Sequence, residues 1–240
     1  MLVQGFEITE SSNPSKPLSS TDVISALLWL CCIRARFGPS LINDKVNHLP
    51  QKFSFTGTVE TRHILQPKSL KRHIGNCVIL AKSHYNFKDL QDPGKTGNIL
   101  TKKQEELLIL TQLALKIRHE CDSVGKDHVQ NIINHAASSQ DPNSFVFLPA
   151  DVSMTSLRKM GIYGLDFGKA LGRVTGFDAM DDRLEGYCYI LPEHSRTGLS
   201  SSRSKQSPWE IRITLDREAT HRLQQDELFS WAGTSDNAKL

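Results

Sequence analysis

The most apolar stretch of the chain reads Ser20-Thr-Asp-Val-Ile-Ser-Ala-Leu-Leu-Trp-Leu-Cys-Cys-Ile-Arg-Ala-Arg-Phe-Gly38. Ser20 or Thr21 suits the cap at the start of a helix, and Asp22 suits the positive end of the helix dipole. Gly38, followed directly by a proline, ends the helix. Apolar side chains surround almost the whole circumference of this segment, as in helices buried in a core. The sequence therefore predicts a central core helix.

This stretch is too short to cross a membrane. Its uninterrupted apolar part, Val23 to Ile33, falls short of the roughly 20 residues that a membrane span needs. Arg34 and Arg36 follow at once. The first residues, 1–7, have neither the basic start nor the apolar core of a secretory signal. We therefore expect a buried helix and no export signal.

Outward from the helix, hydrophobic periodicity predicts a mixture of helices and strands. The predicted strands are residues 53–62, 75–81, 145–148, 162–167, 187–191 and 209–215. Further helices are predicted at 102–121, at 128–137, and from an Asp216 cap to just before Gly233. Since the two types do not alternate strictly, the expected fold class is α/β, a mixed sheet with flanking helices. Residues 20–233 form the expected domain, with a linker or domain edge at 1–19 and a flexible tail at 234–240.

The composition is that of a globular protein. Of the 240 residues, 38% are hydrophobic and 23% are charged, so a core can form without disulfides or a metal. A net charge of +3 is too small to indicate nucleic-acid binding. The five cysteines are odd in number and form no C-x-x-C pair, which predicts reduced, buried thiols in an intracellular protein.

The residues by themselves reveal no complete active site. Asp166-Phe-Gly168 lacks the upstream elements of a kinase. His119 and Asp122 lack metal-ligand spacing, so we expect a solvated helix end and no metal. The basic cluster at residues 68–73 is either a solvated loop or a contact for a CoA phosphate.

Four segments in order resemble the BAHD-type acyltransferases, in particular the fungal branch that includes trichothecene 3-O-acetyltransferase. The first segment is Ser20–Trp29, similar to the helix that opens the carboxy-terminal half of these enzymes. The others are Val59-Glu-Thr-Arg62 with Pro67, Leu70 and Gly75-Asn76; Thr155-Ser156 with Tyr163 and Leu165-Asp-Phe-Gly168; and Glu185-Gly186 with Ile190-Leu-Pro192, Trp209–Ile213 and Asp226–Phe229.

The chain also departs from the family pattern. Glu60 replaces the usual Asp, Leu157 the usual Trp, and Lys169-Ala170 the Trp-Gly that normally closes the D-F-G-W-G motif. None of the nine histidines has an Asp four residues later, so the catalytic H-x-x-x-D is absent. We therefore expect this chain to correspond to the carboxy-terminal half, with the motif on an amino-terminal half that is missing here.

The resemblance implies a chloramphenicol acetyltransferase-like half of a two-domain enzyme. Acyl-CoA is the implied co-substrate, no cofactor or metal stays bound, and the acceptor is a small hydroxylated secondary metabolite. The motif His would act as general base. The motif Asp pairs with an arginine in such enzymes, and Arg62 is the matching position.

The remaining site residues follow from the same resemblance. Thr155, Ser156 and Tyr163 are expected on a strand leading to the tunnel where they contact acceptor or thioester, although ordinary strand packing is an equal alternative. The expected structural positions are Arg62, Gly75, Asn76, Asp166, Phe167 and Gly168.

Two other functions stay open at this point. The chain is either an inactive truncated or partner chain of such an enzyme, or a separate binding module for an anionic metabolite. Without a partner half we expect exposed apolar surface and self-association. Partners such as nucleic acid or membrane are not expected. The expected location is cytoplasmic, or peroxisomal through Ala238-Lys239-Leu240.

Overall fold

The computed structural model describes residues 17–38, 52–65, 75–86, 101–141, 150–179, 184–193 and 208–233. The helices are α1 (Ser20–Phe37), α2 (Arg62–Leu65), α3 (Lys102–Ser123), α4 (Lys126–Ser138), α5 (Arg217–Gln225) and α6 (Glu227–Ala232). The strands are β1 (Lys52–Glu60), β2 (Val78–Asn86), β3 (Val152–Ser156), β4 (Tyr187–Ile190) and β5 (Ile211–Thr214). The predicted strand 145–148, the basic cluster 68–73 and the tail 234–240 lie outside the described residues.

The five strands form one mixed sheet in the order β2-β1-β3-β4-β5. The three central strands, β1, β3 and β4, run parallel, and β2 and β5 pair antiparallel at the two edges. This arrangement confirms the predicted fold class of a mixed sheet with flanking helices.

Helix α1 is the centre of the core, as its sequence predicts. Ala26, Leu28 and Trp29 are fully buried, and the Trp29 ring lies 5.3 Å from that of Phe55 on β1. Helices α3, α5 and α6 contact α1 and complete a helical layer on one face of the sheet. The cap is Ser19 rather than Ser20 or Thr21, because the Ser19 hydroxyl accepts the Asp22 N–H and closes a capping box.

The two faces of the sheet differ in chemistry because successive side chains of a strand point to opposite faces. Phe53 and Phe55 on β1 are buried in the core cluster beside α1. On the opposite face Thr56 donates a hydrogen bond of 2.8 Å from its hydroxyl to that of Ser153 on β3. The helix-covered face is therefore apolar, and the other face is rich in hydroxyl groups.

Several predicted boundaries were wrong. The apolar run 162–167 is not a strand: Ile162–Gly164 forms one turn of 3₁₀ helix, and only Asp166 makes an isolated bridge, to Arg173. The predicted final helix is two helices, because Asp226 ends α5 and caps α6 through the N–H of Phe229. Within the described part of the chain, no helix has both the length and the hydropathy needed to span a bilayer.

The buried thiols lead to a first prediction. Cys31, Cys32 and Cys188 have no exposed surface. Burial raises the pKa of Cys31 well above its ordinary value, and a hydrogen bond to Cys188 together with burial does the same for Cys32. Burial also raises the pKa of Cys121 to about 11. We expect Ellman's reagent at pH 8 to label Cys77 first in the folded chain, and all five thiols in urea.

Rapid labelling of four or five thiols without denaturant would contradict this prediction.

The same pKa shifts give the sign of a pH effect on stability. A thiol in the unfolded chain ionises near 9.0, below its pKa in the folded chain. The free energy of unfolding should therefore fall as the pH rises above 9.0, because the unfolded state loses its protons first.

Candidate functional site

The carboxyl ends of β1, β3 and β4 meet at one edge of the sheet, because these three strands are parallel. In open α/β sheets, ligands bind outside the carboxyl ends of the strands. Most of the site residues expected from the sequence lie here. Arg62 follows β1, Thr155 and Ser156 end β3, and Gly75 and Asn76 precede the antiparallel strand β2. We refer to these residues as the carboxyl edge.

Arg62 is held at the carboxyl edge by its immediate neighbours. Its Nη1 lies 2.8 Å from Oε1 of Glu60, and its Nη2 donates to the main-chain oxygen of Gly75 over 2.6 Å. The preceding residue, Thr61, donates from its N–H to the carbonyl of Cys77 over 2.8 Å. Arg62 is therefore positioned by both β1 and the chain leading into β2, and its side chain is one third exposed.

The carboxylate of Glu60 is the anionic partner of this guanidinium. Partial burial by itself would raise the pKa of Glu60. The N–H of Arg62, the His63 ring and the Arg62 guanidinium together outweigh it and hold this pKa below its usual value. Nδ1 of His63 lies 3.3 Å from Oε2. Glu60 therefore forms an ion pair with Arg62.

Thr155 and Ser156 carry hydroxyl groups with no hydrogen-bond partner among the residues that the structure describes. Thr155 is half-buried and Ser156 is exposed at the end of β3. The main chain beside them is fixed, since the N–H of Leu157 donates to the carbonyl of Ile190 over 2.8 Å. The two hydroxyl groups end β3 on opposite faces of the sheet, and each suits contact with a polar ligand.

Arg158 lies at the same edge and was missed by sequence reasoning. Its guanidinium carbon lies 4.0 Å from the centre of the Trp209 ring. Its Nη1 donates to the carbonyl of Pro208 over 3.1 Å, and its Nη2 lies 3.3 Å from Oε1 of Glu193. The partners come from distant parts of the chain, and no local pattern signals such an arrangement.

Tyr163 is not on a strand, contrary to expectation. It lies in the 3₁₀ turn Ile162–Gly164, beyond the end of β3, and is half-buried. The structure therefore places Thr155 and Ser156 at the carboxyl edge, at the end of one continuous strand, and Tyr163 in a separate turn that follows.

The Asp166-Phe-Gly168 segment is organised by local contacts. Oδ1 of Asp166 accepts the N–H of Gly168 over 2.8 Å, and Oδ2 lies 3.6 Å from Nε of Arg173. Gly168 has a φ of +84°, which a glycine adopts without strain. These contacts of Asp166 hold a local turn. The structural role predicted for Asp166 in the whole enzyme stays a prediction.

The described side chains include no group of three or more His, Cys, Asp or Glu residues placed to hold a metal ion. The carboxyl edge instead presents two guanidinium groups, Arg62 and Arg158, each beside one carboxylate. It also presents the hydroxyls of Thr155 and Ser156, which have no hydrogen-bond partner among the described residues. Such an arrangement can orient a polar or anionic small molecule.

Known proteins are similar to this chain in sequence. A family model described as the Transferase family matches residues 7–228. The fumigaclavine B O-acetyltransferase of Aspergillus fumigatus is 27% identical over 97% of this chain and 47% of its own length. The communesin N16 acyltransferase of Penicillium expansum is 26% identical over 94% of this chain and 47% of its own length. The chain thus spans about half the length of these curated relatives.

Solved structures share the fold. TRI101 of F. sporotrichioides, crystallised with coenzyme A and T-2, superposes with a TM-score of 0.59 at 18% identity. The match covers 89% of this chain and 45% of TRI101. Vinorine synthase superposes with a TM-score of 0.51 at 15% identity, over 87% of this chain and 41% of its own. With the family match over residues 7–228, the chain belongs to the Transferase family, which confirms its resemblance to the BAHD-type acyltransferases.

Proposed function

We propose that this chain is the carboxy-terminal half of a CoA-dependent O-acyltransferase that acylates a hydroxyl group of a small secondary metabolite. The observation that carries the proposal is the family match over residues 7–228, together with relatives whose names are O-acetyltransferases of small molecules. The carboxyl edge supports it, because Arg62 follows β1 and Thr155 and Ser156 end β3, at the edge where ligands bind in such sheets.

The reaction balances without a metal or redox cofactor. The acceptor hydroxyl attacks the thioester carbonyl of acyl-CoA, the C–S bond breaks, and a new ester C–O bond forms. A general base takes the hydroxyl proton, which ends on the sulfur of the departing CoA. That base is proposed to be the His of an H-x-x-x-D motif in the other half, because none of this chain's nine histidines has an Asp four residues later.

The residues of this chain would then bind and position. Arg62 would pair with the carboxylate of the motif Asp, since its side chain is one-third exposed. Thr155 and Ser156 would donate hydrogen bonds to the acceptor or to the thioester oxygen. Each role requires that Arg62, Thr155 and Ser156 face the interface between the two halves. We also propose that Ala238-Lys239-Leu240 acts as a peroxisomal import signal.

One alternative is favoured by a specific observation. Since the H-x-x-x-D pattern is absent, the chain by itself would be an inactive partner or truncated product of the same family. Incubating the purified chain with acetyl-CoA and fumigaclavine B, followed by mass spectrometry, tests this alternative. Acetylated product from the chain alone would contradict it.

The proposed function is tested on a single polypeptide. The chain is fused to the part of the A. fumigatus fumigaclavine B O-acetyltransferase that lies outside the match, so that both halves are present in one molecule. We expect the fusion to bind CoA in a calorimetric titration and to transfer an acetyl group. A folded fusion that binds no CoA would refute the proposal.

The hydroxyl groups at the end of β3 give a second prediction. We expect Thr155→Val combined with Ser156→Ala to lower kcat/KM of the fusion about tenfold, since a hydrogen bond to a polar ligand contributes about 1–1.5 kcal/mol. The melting temperature should not change, because neither hydroxyl has a partner among the described residues. Thr214→Val, at the opposite edge of the sheet beside Tyr187, is the matched control. If the fusion, the double variant and the Thr214→Val control have equal kcat/KM, these hydroxyls do not contact the substrates.

A further inference from the structure

Arg158 connects three separate parts of the chain at the carboxyl edge. Its guanidinium stacks on the Trp209 ring and bonds to the carbonyl of Pro208 and to the carboxylate of Glu193. Pro208 lies 50 positions and Glu193 35 positions further along the chain. Only 13% of the Arg158 side chain is exposed, so the guanidinium is held among these partners and does not extend into solvent. We refer to these four residues as the Arg158 cluster.

The partners of Arg158 are themselves fixed. Trp209 packs against the hydrophobic core, and Pro192, which precedes Glu193, has a fully buried side chain. The N–H of Glu193 donates to the carbonyl of Arg158 over 3.1 Å, so the main chains of these two residues are joined as well as their side chains. A planar guanidinium can stack on a ring and donate to two oxygen atoms at once, whereas a lysine ammonium is a single point charge. The Arg158 cluster therefore forms a rigid support.

The Arg158 cluster lies where the pairing of β3 with β4 ends. The last pair of this ladder is Ser156 with Ile190, and one further bond follows, from the N–H of Leu157 to the carbonyl of Ile190. The chain then turns, because the N–H of Met160 donates to the carbonyl of Leu157. Element ends open locally at a lower free energy than the centre of a sheet. The Arg158 side chain ties this strand end to the residues after β4 and before β5.

Thr155 and Ser156, the hydroxyl residues proposed to contact the substrates, are the last two residues of β3. Their position depends on how firmly this strand end is held. We propose that Arg158 is a positioning residue of the transferase, which keeps these two hydroxyls in place by fixing the end of β3 without touching the substrates. Such support matters because a displacement of about 1 Å at a binding group lowers the rate strongly. The inference rests on the proposed function in taking these hydroxyls as substrate contacts.

The first test is a double-mutant cycle in the fusion. Arg158→Met is measured alone and together with Thr155→Val/Ser156→Ala. Alone, we expect it to lower kcat/KM about fivefold, less than the roughly tenfold effect of removing the hydroxyls themselves. In the variant without the hydroxyls it should lower kcat/KM by no more than about twofold further, because Arg158 acts through them. Arg217→Met removes an exposed arginine of α5 and should leave kcat/KM unchanged, as the control for charge.

Effects that multiply in this cycle would overturn the proposal, because general destabilisation or a direct contact with substrate acts whether or not the hydroxyls are present. Arg158→Lys keeps the charge but loses the planar fork, so it should be as slow as Arg158→Met. Full activity of the lysine variant would show that a charge near the substrates is enough, and would also overturn the proposal. If Arg158→Met does not fold, Glu193→Gln takes its place in the cycle, and the same lack of additivity is expected.

Hydrogen exchange in the unfused chain, measured by NMR, tests the support of β3 without any activity. The Leu157 N–H should exchange at least about tenfold faster in Arg158→Met than in the unmodified chain, while the N–H of Leu28 in α1 keeps its rate. An unchanged rate at Leu157 would overturn the positioning role even in an active fusion. A fusion that binds no CoA would refute the proposed function, whereas faster exchange at Leu157 would still show that Arg158 holds the strand end. The two proposals therefore fail separately.

Discussion

Gly186→Ala is expected to destabilise the chain by about 4 kcal/mol, a large share of the stability of a typical domain. Gly186 precedes β4 with a φ of +83°, and its N–H and carbonyl bond to Thr214 of β5 and Ser153 of β3 over 2.8 and 2.9 Å. A Cβ here would overlap the main-chain oxygen of Asp151 and lie 3.0 Å from Nη1 of Arg36. Arg36 donates to that same oxygen, so the atoms cannot separate without opening the junction of three strands.

Gly168→Ala is the matched control, because Gly168 has nearly the same φ, +84°, but no atom lies within 4 Å of an added Cβ. Its cost should be only that of the left-handed backbone, about 1–2 kcal/mol. Urea unfolding followed by circular dichroism measures both values. Equal destabilisation by the two substitutions would show that the backbone conformation, and not the overlap with Asp151, dominates at Gly186.

Asp22→Ala should destabilise the chain by about 3 kcal/mol. Oδ2 of Asp22 accepts the N–H of Ser19 over 2.7 Å and Nε of Arg118 over 3.0 Å. The Asp22 side chain is 8% exposed and that of Arg118 18%. Removing the carboxylate therefore opens the capping box of α1 and leaves the largely buried guanidinium with only the more distant carboxylate of Asp122, 3.8 Å from its Nη1.

A second ion pair between the same two helices provides the comparison. Arg34 of α1 lies 3.0 Å from Glu106 of α3, but the Arg34 side chain is 30% exposed. Glu106→Ala should cost about 1 kcal/mol or less, since Arg34 is partly screened by water and keeps the carboxylate of Asp226 3.7 Å away. A double-mutant cycle of Asp22→Ala with Arg118→Met separates the ion pair from the cap. A coupling free energy near zero would assign the whole effect to the cap.

The local features of this protein could be predicted from its sequence. Helix α1 was predicted because apolar residues surround it and a capping residue and Gly38 bound it. Helix α3 was predicted at 102–121 and is observed at Lys102–Ser123. The order of the motifs was sufficient to identify the family. These predictions succeed because caps, helical periodicity and motif spacing act over a few residues.

The sheet needed the tertiary structure. Hydrophobic periodicity missed strand β3, Val152–Ser156, because Val-Ser-Met-Thr-Ser is short and has two apolar residues among five; only the family resemblance placed Thr155 and Ser156 on a strand. It is nonetheless a central strand. The hydrogen bond between Thr56 of β1 and Ser153 of β3 joins residues that are 97 positions apart. For residues 162–167 the error was the opposite one: their apolar pattern predicted a strand, but these residues do not pair with any strand of the described sheet.

The candidate site depends on both levels. The sequence determined which residue types are present, with Arg62, Thr155 and Ser156 placed by their likeness to family motifs. Only the tertiary structure decided that they share one edge of the sheet, that Arg158 joins them over Trp209, and that Phe167 and Leu171 face outward. The physical reason is that a short strand or an exposed loop is defined by its partners across the sheet, and those partners lie far away in the sequence.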